Sequence, residues 1–487
     1  MFRLLDRGLA DEMVSLALKI VRNKGISSRN EALLKQAAKT ESLVVRNNRI
    51  YPSNEILGSC MLHIQSNMVP DGNGIVKNHG WQDMLINNRD DSEIIIKLTD
   101  LPYQFCDHQK QEIVPLSRSH VIEGTKLLHV LSRQKGIRGN SCGVPQDTHV
   151  YLKSIEQYLI GYRYNQNGGG TIQSIPRQVE SDYSLLRSIA EDWENPNARD
   201  LMLFSPSPMI LDSDDLYLCF QKGITLNSFM VGSMPMMGMT GPIDPIGVYV
   251  LGIAEVLAAA TVLHAIFPDA KAYVYPHPQA MSLHTGQMAF GTVEHARLEM
   301  MKKEIMDVLR LPYYNLKDIM TSAQMPGPMA QGDKALGFYS GIMAGYRAFN
   351  LMPLSTDQVW SPEQALLDIE NLQNAWKVLE PVIPQEESDH YGHISSVIDA
   401  NMLFSESDHT LLHMHDHYDL DTFQKRHFTS ETWKTSGKPG ELKAIEEKKE
   451  ELISAWDYRP PQAKLEQIIE IYNGLCKQLD TEPLNLD

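Results

Sequence analysis

Residues 233–278 read SMPMMGMTGPIDPIGVYVLGIAEVLAAATVLHAIFPDAKAYVYPHP, and the order of residue types in this stretch points to a strand-loop-helix-strand unit. The apolar run Ser228–Val231 leads into a loop dense in Gly, Pro and Met. Asp244 followed by Pro245 is a strong helix start, because the carboxylate caps free N–H groups and proline at the first helical position gives up no needed donor. Gly247, Gly252, Ala254 and Ala258–Ala260 let that helix lie close to a neighbour, and Pro268 ends it before the run Ala272–Tyr275. In parallel α/β proteins the loop after a strand lies at the ligand-binding end. Chemistry is therefore expected at the Met-rich loop.

Working outward, the alternation continues. Strand-like runs fall at Leu201–Phe204, Thr225–Val231, Ala272–Tyr275, Tyr313–Leu316, Ala348–Met352 and Ile394–Ile398, with helices Asp182–Trp193, Thr292–Leu309 and Ser361–Leu379 among them. Glu93–Leu98 and a strand across residues 162–171 bring the count to eight, which predicts a closed (β/α)₈ barrel over residues 91–440. Helical spacing of Leu16, Ile20 and Val21, and a helix start at Asn30, make residues 1–90 an N-terminal helical extension. Residues 441–487 form a C-terminal helical tail in which Leu465, Ile468, Ile469 and Tyr472 give a docking face.

Composition narrows the partners. The chain has 487 residues, 43% hydrophobic, with 44 Lys+Arg against 61 Asp+Glu and a net charge of -17, which argues against nucleic acid and anionic membranes. Five widely spaced cysteines predict reduced thiols in a cytoplasm rather than a disulfide framework. The N-terminus is charged too early for a signal peptide, and no unbroken apolar run spans a membrane.

The loops after the expected strands include residues 205–208, 232–238, 276–278, 321–331 and 399–404. They are rich in Pro, Gly and Met and poor in charge, a lining suited to a bulky apolar or cationic ligand. Tyr162–Gly170 adds aromatics, amides and a glycine triplet, without the spacing or Lys of a nucleotide loop.

Several of these stretches carry a resemblance. GMTGPIDPIG (238–247), AEVLAAATVLHAIFPDA (254–270) and TSAQMPGPMAQGDKALGFYSGIMAG (321–345) resemble the core signature of the trimethylamine methyltransferase family, and residues 145–170 and 405–439 extend the likeness. The resemblance implies a barrel that moves a methyl group from an amine to Co(I) of a corrinoid, supplied as cofactor or on a cognate corrinoid protein. Met236, Gly238, Met239 and Gly241 would then face the corrinoid, and the chain is expected to be a homo-oligomer. Trimethylamine enzymes of the family carry pyrrolysine, whereas this sequence has standard residues only, so the resemblance points to the branch acting on quaternary amines such as glycine betaine. A quaternary ammonium has no N–H and is recognised by aromatic faces. Tyr103, Tyr164, Tyr275, Tyr346 and Phe404 are the aromatic candidates, with Asn167, His277 and Gln331 as polar ones.

The rival reading starts from His409, His413, His415 and His417. His409 and His413 stand at i, i+4, a spacing that zinc ligands use on a helix, although the intervening Glu of metalloproteases is missing. A zinc-dependent barrel enzyme, and a barrel that binds betaine without turning it over, are the alternatives. The leading expectation is that the chain itself binds no metal.

Overall fold

The computed structural model describes residues 4–66, 94–169, 178–191, 198–213, 225–310, 316–379, 389–417, 426–440 and 442–483, with short pieces at 216–217, 219–220, 223 and 422–424.

The N-terminal region is not wholly helical. Helices Arg7–Lys24, Glu31–Lys39 and Asn54–Ser66 flank an antiparallel sheet of β1 (Ile26–Ser27), β2 (Leu43–Arg46) and β3 (Arg49–Pro52), ordered β1-β3-β2. Asn47 and Asn48, with φ of 50° and 58°, form the two-residue hairpin turn. Asparagine tolerates this left-handed backbone, so the pair is a hairpin signal that a purely helical reading overlooks.

Two all-parallel sheets and one mixed sheet make up the rest among the described residues. One sheet is β7 (Ala198–Ser205), β8 (Thr225–Ser233) and β9 (Lys271–Pro276). A second runs β10 (Leu316–Ile319), β11 (Ala348–Leu351) and β4 (Ile95–Leu98), all parallel, so the last βα unit returns to lie beside the first. A third small sheet, ordered β12-β5-β6, joins β5 (Gln104–Asp107), β6 (Glu112–Pro115) and β12 (Val359–Trp360), and in it β5 and β6 run antiparallel. Among the described residues the pairing leaves separate three-stranded sheets and does not close into one barrel, and the class is mixed α/β.

Two expected strands are helical. Residues 162–164 finish the helix Lys153–Tyr164, because Ile155, Tyr158, Leu159 and Tyr162 recur at helical spacing and bury one face against Leu465, Ile468 and Tyr472 of the tail helix Gln462–Gln478. Ile394–Ile398 lies inside the helix His390–Asp399, whose start is capped by Asp389 accepting from the Gly392 N–H. There the β-branched content misleads, since local capping decides the conformation. Tyr313 lies outside the described residues, and β10 begins three residues later, at Leu316.

The helix Pro245–Ile266 starts as its sequence predicts, with Asp244 Oδ1 accepting from the Gly247 N–H at 2.7 Å. It is apolar all round, with a mean hydropathy of 2.1 over 18 residues, and is long enough to cross a membrane, which corrects the expectation that no stretch reaches that length. Most of it is buried in the core, packed against the helices Arg7–Lys24 and Asn54–Ser66 and the strands β8 and β9. Its one carboxylate, Glu255, accepts from Ser207 Oγ and the Met209 N–H, both at 2.8 Å, and so ties down the loop after β7.

Side chains alternate along the parallel strands. Met202, Phe204, Met230, Tyr273, Tyr275, Leu316, Ala348 and Ile95 point to one side and form a single cluster drawn from both parallel sheets. Their neighbours Phe229, Val231, Ala272, Val274, Phe349, Leu351, Ile96 and Leu98 pack outward against helices. The period of two assigns Asp318, Asn350 and Lys97 to the shared inner side.

Candidate active site

Asp318 pairs in register with Asn350, and Asn350 with Lys97, so β10, β11 and β4 place a carboxylate, an amide and an ammonium in one row. Asn350 Nδ2 donates to Asp318 Oδ1 at 2.9 Å, and Tyr275 OH donates to Asp318 Oδ2 at 3.3 Å. Asn350 Oδ1 is buried without a partner among the described residues, and the Lys97 side chain forms no ion pair or hydrogen bond among them. Burial pushes the Asp318 carboxyl above its ordinary range. The row is polar, inward-facing and only partly satisfied.

Behind it stands the helix Val293–Leu309. His295, Glu299 and Lys302 lie at i, i+4 and i+7, one helical face, and all are buried. Lys302 Nζ donates to both Glu299 oxygens at 2.9 and 3.0 Å, to Tyr275 OH at 3.0 Å and to His277 Nδ1 at 3.1 Å. Lys317 Nζ is 3.4 Å from Glu299 Oε2. Burial alone would raise the Glu299 carboxyl, but Lys302 and Lys317 together hold it well below the usual range. His277 is pushed well down by burial and by Lys302, and His295 is pushed down to about 3 by burial and Lys317, so both imidazoles are neutral. His277 Nδ1 stands 3.1 Å from Lys302 Nζ and 3.2 Å from Glu299 Oε1, and its Nε2 lies 3.9 Å from Asp318 Oδ2. The network holds the Tyr275 hydroxyl and the Asp318 carboxylate in place.

Of the residues expected from sequence, the fold brings Tyr275, His277 and Tyr346 together around this network; Tyr346 OH donates to the Glu299 carbonyl at 2.8 Å. The others lie elsewhere. Tyr164 packs on Trp456, ring centroids 5.6 Å apart, and Asn167 Nδ2 donates to the Gly139 carbonyl at 2.9 Å. Tyr103 sits half-exposed before β5, while Phe404 is half-exposed beside His393. Gln331 accepts from Asn371 Nδ2 at 2.6 Å, facing a different cleft.

The loop after β8 turns tightly on itself. The Met236 carbonyl accepts from the N–H groups of Met239, Thr240 and Gly241 at 3.0 to 3.2 Å. Gly238 adopts φ of 79°, a left-handed backbone that favours glycine. Met239, Ile243 and Leu283 project as an exposed apolar group.

The sequence reading passes over Lys97, Glu299, Lys302, Lys317, Asp318 and Asn350. A signal exists: Lys317-Asp318 and Asn350 are polar residues inside short strands whose neighbours are all apolar, unusual for strands buried on both faces. His409 does meet His413, with ring centroids 4.6 Å apart, and stacks on His393 at 4.0 Å. Among the described residues no group of three or more His, Cys, Asp or Glu side chains is arranged to hold a metal ion.

Residues 190–468 match the family model described as trimethylamine methyltransferase (MTTB), a span that includes every member of the buried network except Lys97. A mixed α/β chain with this match is a methyltransferase. It belongs to the trimethylamine methyltransferase family, whose model covers more than half of its length. No curated protein matches the chain.

Proposed function

We propose that this methyltransferase takes a methyl group from a quaternary amine, glycine betaine or a related betaine, and passes it to Co(I) of a corrinoid held by a cognate corrinoid protein. The observation that carries the reading is the row Asp318–Asn350–Lys97. Adjacent strands are about 4.8 Å apart, so a carboxylate and an ammonium two strands apart match a zwitterion with its charges separated by a short chain. Asp318 and the Tyr275 ring face the ammonium, which can form no N–H hydrogen bond. Lys97 meets the carboxylate.

The reading includes a (β/α)₈ barrel. It is supported by the return of β11 to β4 and by the one inner cluster that both parallel sheets share. The substrate then lies inside, below the loops that follow the strands. The corrinoid, when bound, supplies the nucleophile. The chain's task is to orient the methyl group and exclude water. The amine leaves neutral, so no proton need be delivered, in keeping with a His277 that is neutral and hydrogen-bonded to Lys302. Exposed Met239, Ile243 and Leu283 give an apolar surface on which a carrier protein can settle.

The test is to incubate the protein with Co(I) cobalamin and a panel of methylated amines while recording the spectrum. Methylcobalamin should form with glycine betaine and yield dimethylglycine. Methyl transfer from tertiary amines alone would overturn the assignment of donor.

A further inference from the structure

A cleft of about 960 Å³ opens at the start of the helix Pro328–Ala344, between it, the helix Pro362–Leu379, Gln424 and residues 426–440 and 442–447. Leu367, Leu442 and the Trp433 ring give it apolar walls, and Trp433 Nε1 is tied to the Pro439 carbonyl at 3.3 Å, which fixes the ring. Three amides lead into it. Gln424 Nε2 donates to Asn371 Oδ1 at 3.3 Å, and Asn371 Nδ2 donates to Gln331 Oε1 at 2.6 Å. The chain of donors ends at Gln331 Nε2, which is buried and has no acceptor among the described residues. A buried donor left in this state costs free energy until something accepts from it.

Positive charge converges on the same place. Arg426 and Lys443 line the cleft, and neither side chain has an ion pair or hydrogen bond among the described residues. The first turn of the helix Pro328–Ala344 has no side-chain cap, so its free N–H groups also want an acceptor. Among the described residues of the lining Glu447 is the one carboxylate. On a chain of net charge -17 the long-range field disfavours anions, so a local gathering of unpaired donors and cations stands against the background.

We infer that this cleft binds a small organic anion, a carboxylate or phosphate borne on a planar or apolar body. The oxyanion accepts from Gln331 Nε2, from the helix N–H groups and from Arg426, with Lys443 adding charge beside it, and the body lies on the Trp433 ring. The site is separate from the Asp318 row and does not depend on the methyl-transfer reading.

Benzoate and phenyl phosphate are suitable probes, with benzyl alcohol as the uncharged control, followed by ligand-observed NMR on the full chain. At least one anion should bind, with benzyl alcohol weaker by about tenfold or more. Preference for benzoate assigns a carboxylate ligand, and preference for phenyl phosphate assigns a phosphate. Gln331→Glu keeps an acceptor for Asn371 but replaces the free donor, and Arg426→Gln alters an exposed side chain; each should weaken anion binding about tenfold, Arg426→Gln with the melting temperature unchanged. The inference is overturned if neither anion binds, if benzyl alcohol binds equally well, or if Arg426→Gln leaves binding unaltered.

Discussion

Asp318 on β10 and Lys97 on β4 stand in one register row, separated only by Asn350 on β11. Opposite charges are thus fixed two strands apart on the inner side of the sheet. Their spacing depends on backbone pairing rather than on flexible side chains alone.

Substitution of Lys97 by Met should therefore raise the KM for glycine betaine by about tenfold or more, since a charge-assisted hydrogen bond to the carboxylate is lost. Tetramethylammonium, which lacks a carboxylate, should show no such change. Equal effects on both donors would remove Lys97 from substrate recognition.

Asp318→Asn should cut kcat/KM for every quaternary donor by roughly a hundredfold, given the cost of burying an unmatched cation. The wild-type profile should also depend on pH in a stated direction. Burial raises the Asp318 pKa, and only the ionised carboxylate attracts the ammonium, so KM should fall as pH rises through that raised value. Asp318→Asn should flatten this limb.

Lys302 serves Glu299, His277 and Tyr275 at once. Lys302→Met leaves the Glu299 carboxylate buried beside Lys317 alone, and should destabilise the fold by roughly 3–5 kcal/mol in denaturant titrations. Adding Glu299→Gln should restore part of that loss. No recovery in the double variant would show that the two groups are not energetically coupled.

Burial pushes the Glu255 carboxyl from 4.5 up to about 7. A folded pKa above the unfolded one means that the folded state holds the proton more tightly. The associated stability is complete below pH 4.5 and is lost as pH rises through about 7, amounting to about 3 kcal/mol in the full range. Glu255→Gln should remove this limb from unfolding measurements made across that interval.

Met239 is 55% exposed in the tight loop after β8. Met239→Glu should leave stability within about 0.5 kcal/mol, as surface changes usually do, yet raise the KM for a corrinoid protein severalfold. Free cobalamin should be used as before, and a parallel loss with it would argue against a docking role.

Much of the parallel architecture is legible in the chain. The runs at Leu201–Phe204, Thr225–Val231, Ala272–Tyr275 and Ala348–Met352 are strands because short, largely apolar stretches between helices have few other ways to be buried. Ile394–Ile398 and residues 162–164 misled for the opposite reason, since their apolar and aromatic residues serve helices. The aromatic candidates fared unevenly: nothing near Tyr164 or Phe404 in sequence tells that one packs on the tail and the other beside His393.

By itself the sequence determined the helix from Asp244-Pro245, the Gly-Pro-Met loop before it and the family signature, because caps, turns and short motifs are local properties. Only the tertiary structure decided that Lys97, Asn350 and Asp318, some 250 residues apart at the extremes, share a row, and that Lys302 reaches His277 and Tyr275 together. Strand register and helix packing are set by the burial of the whole core, and no local pattern encodes them.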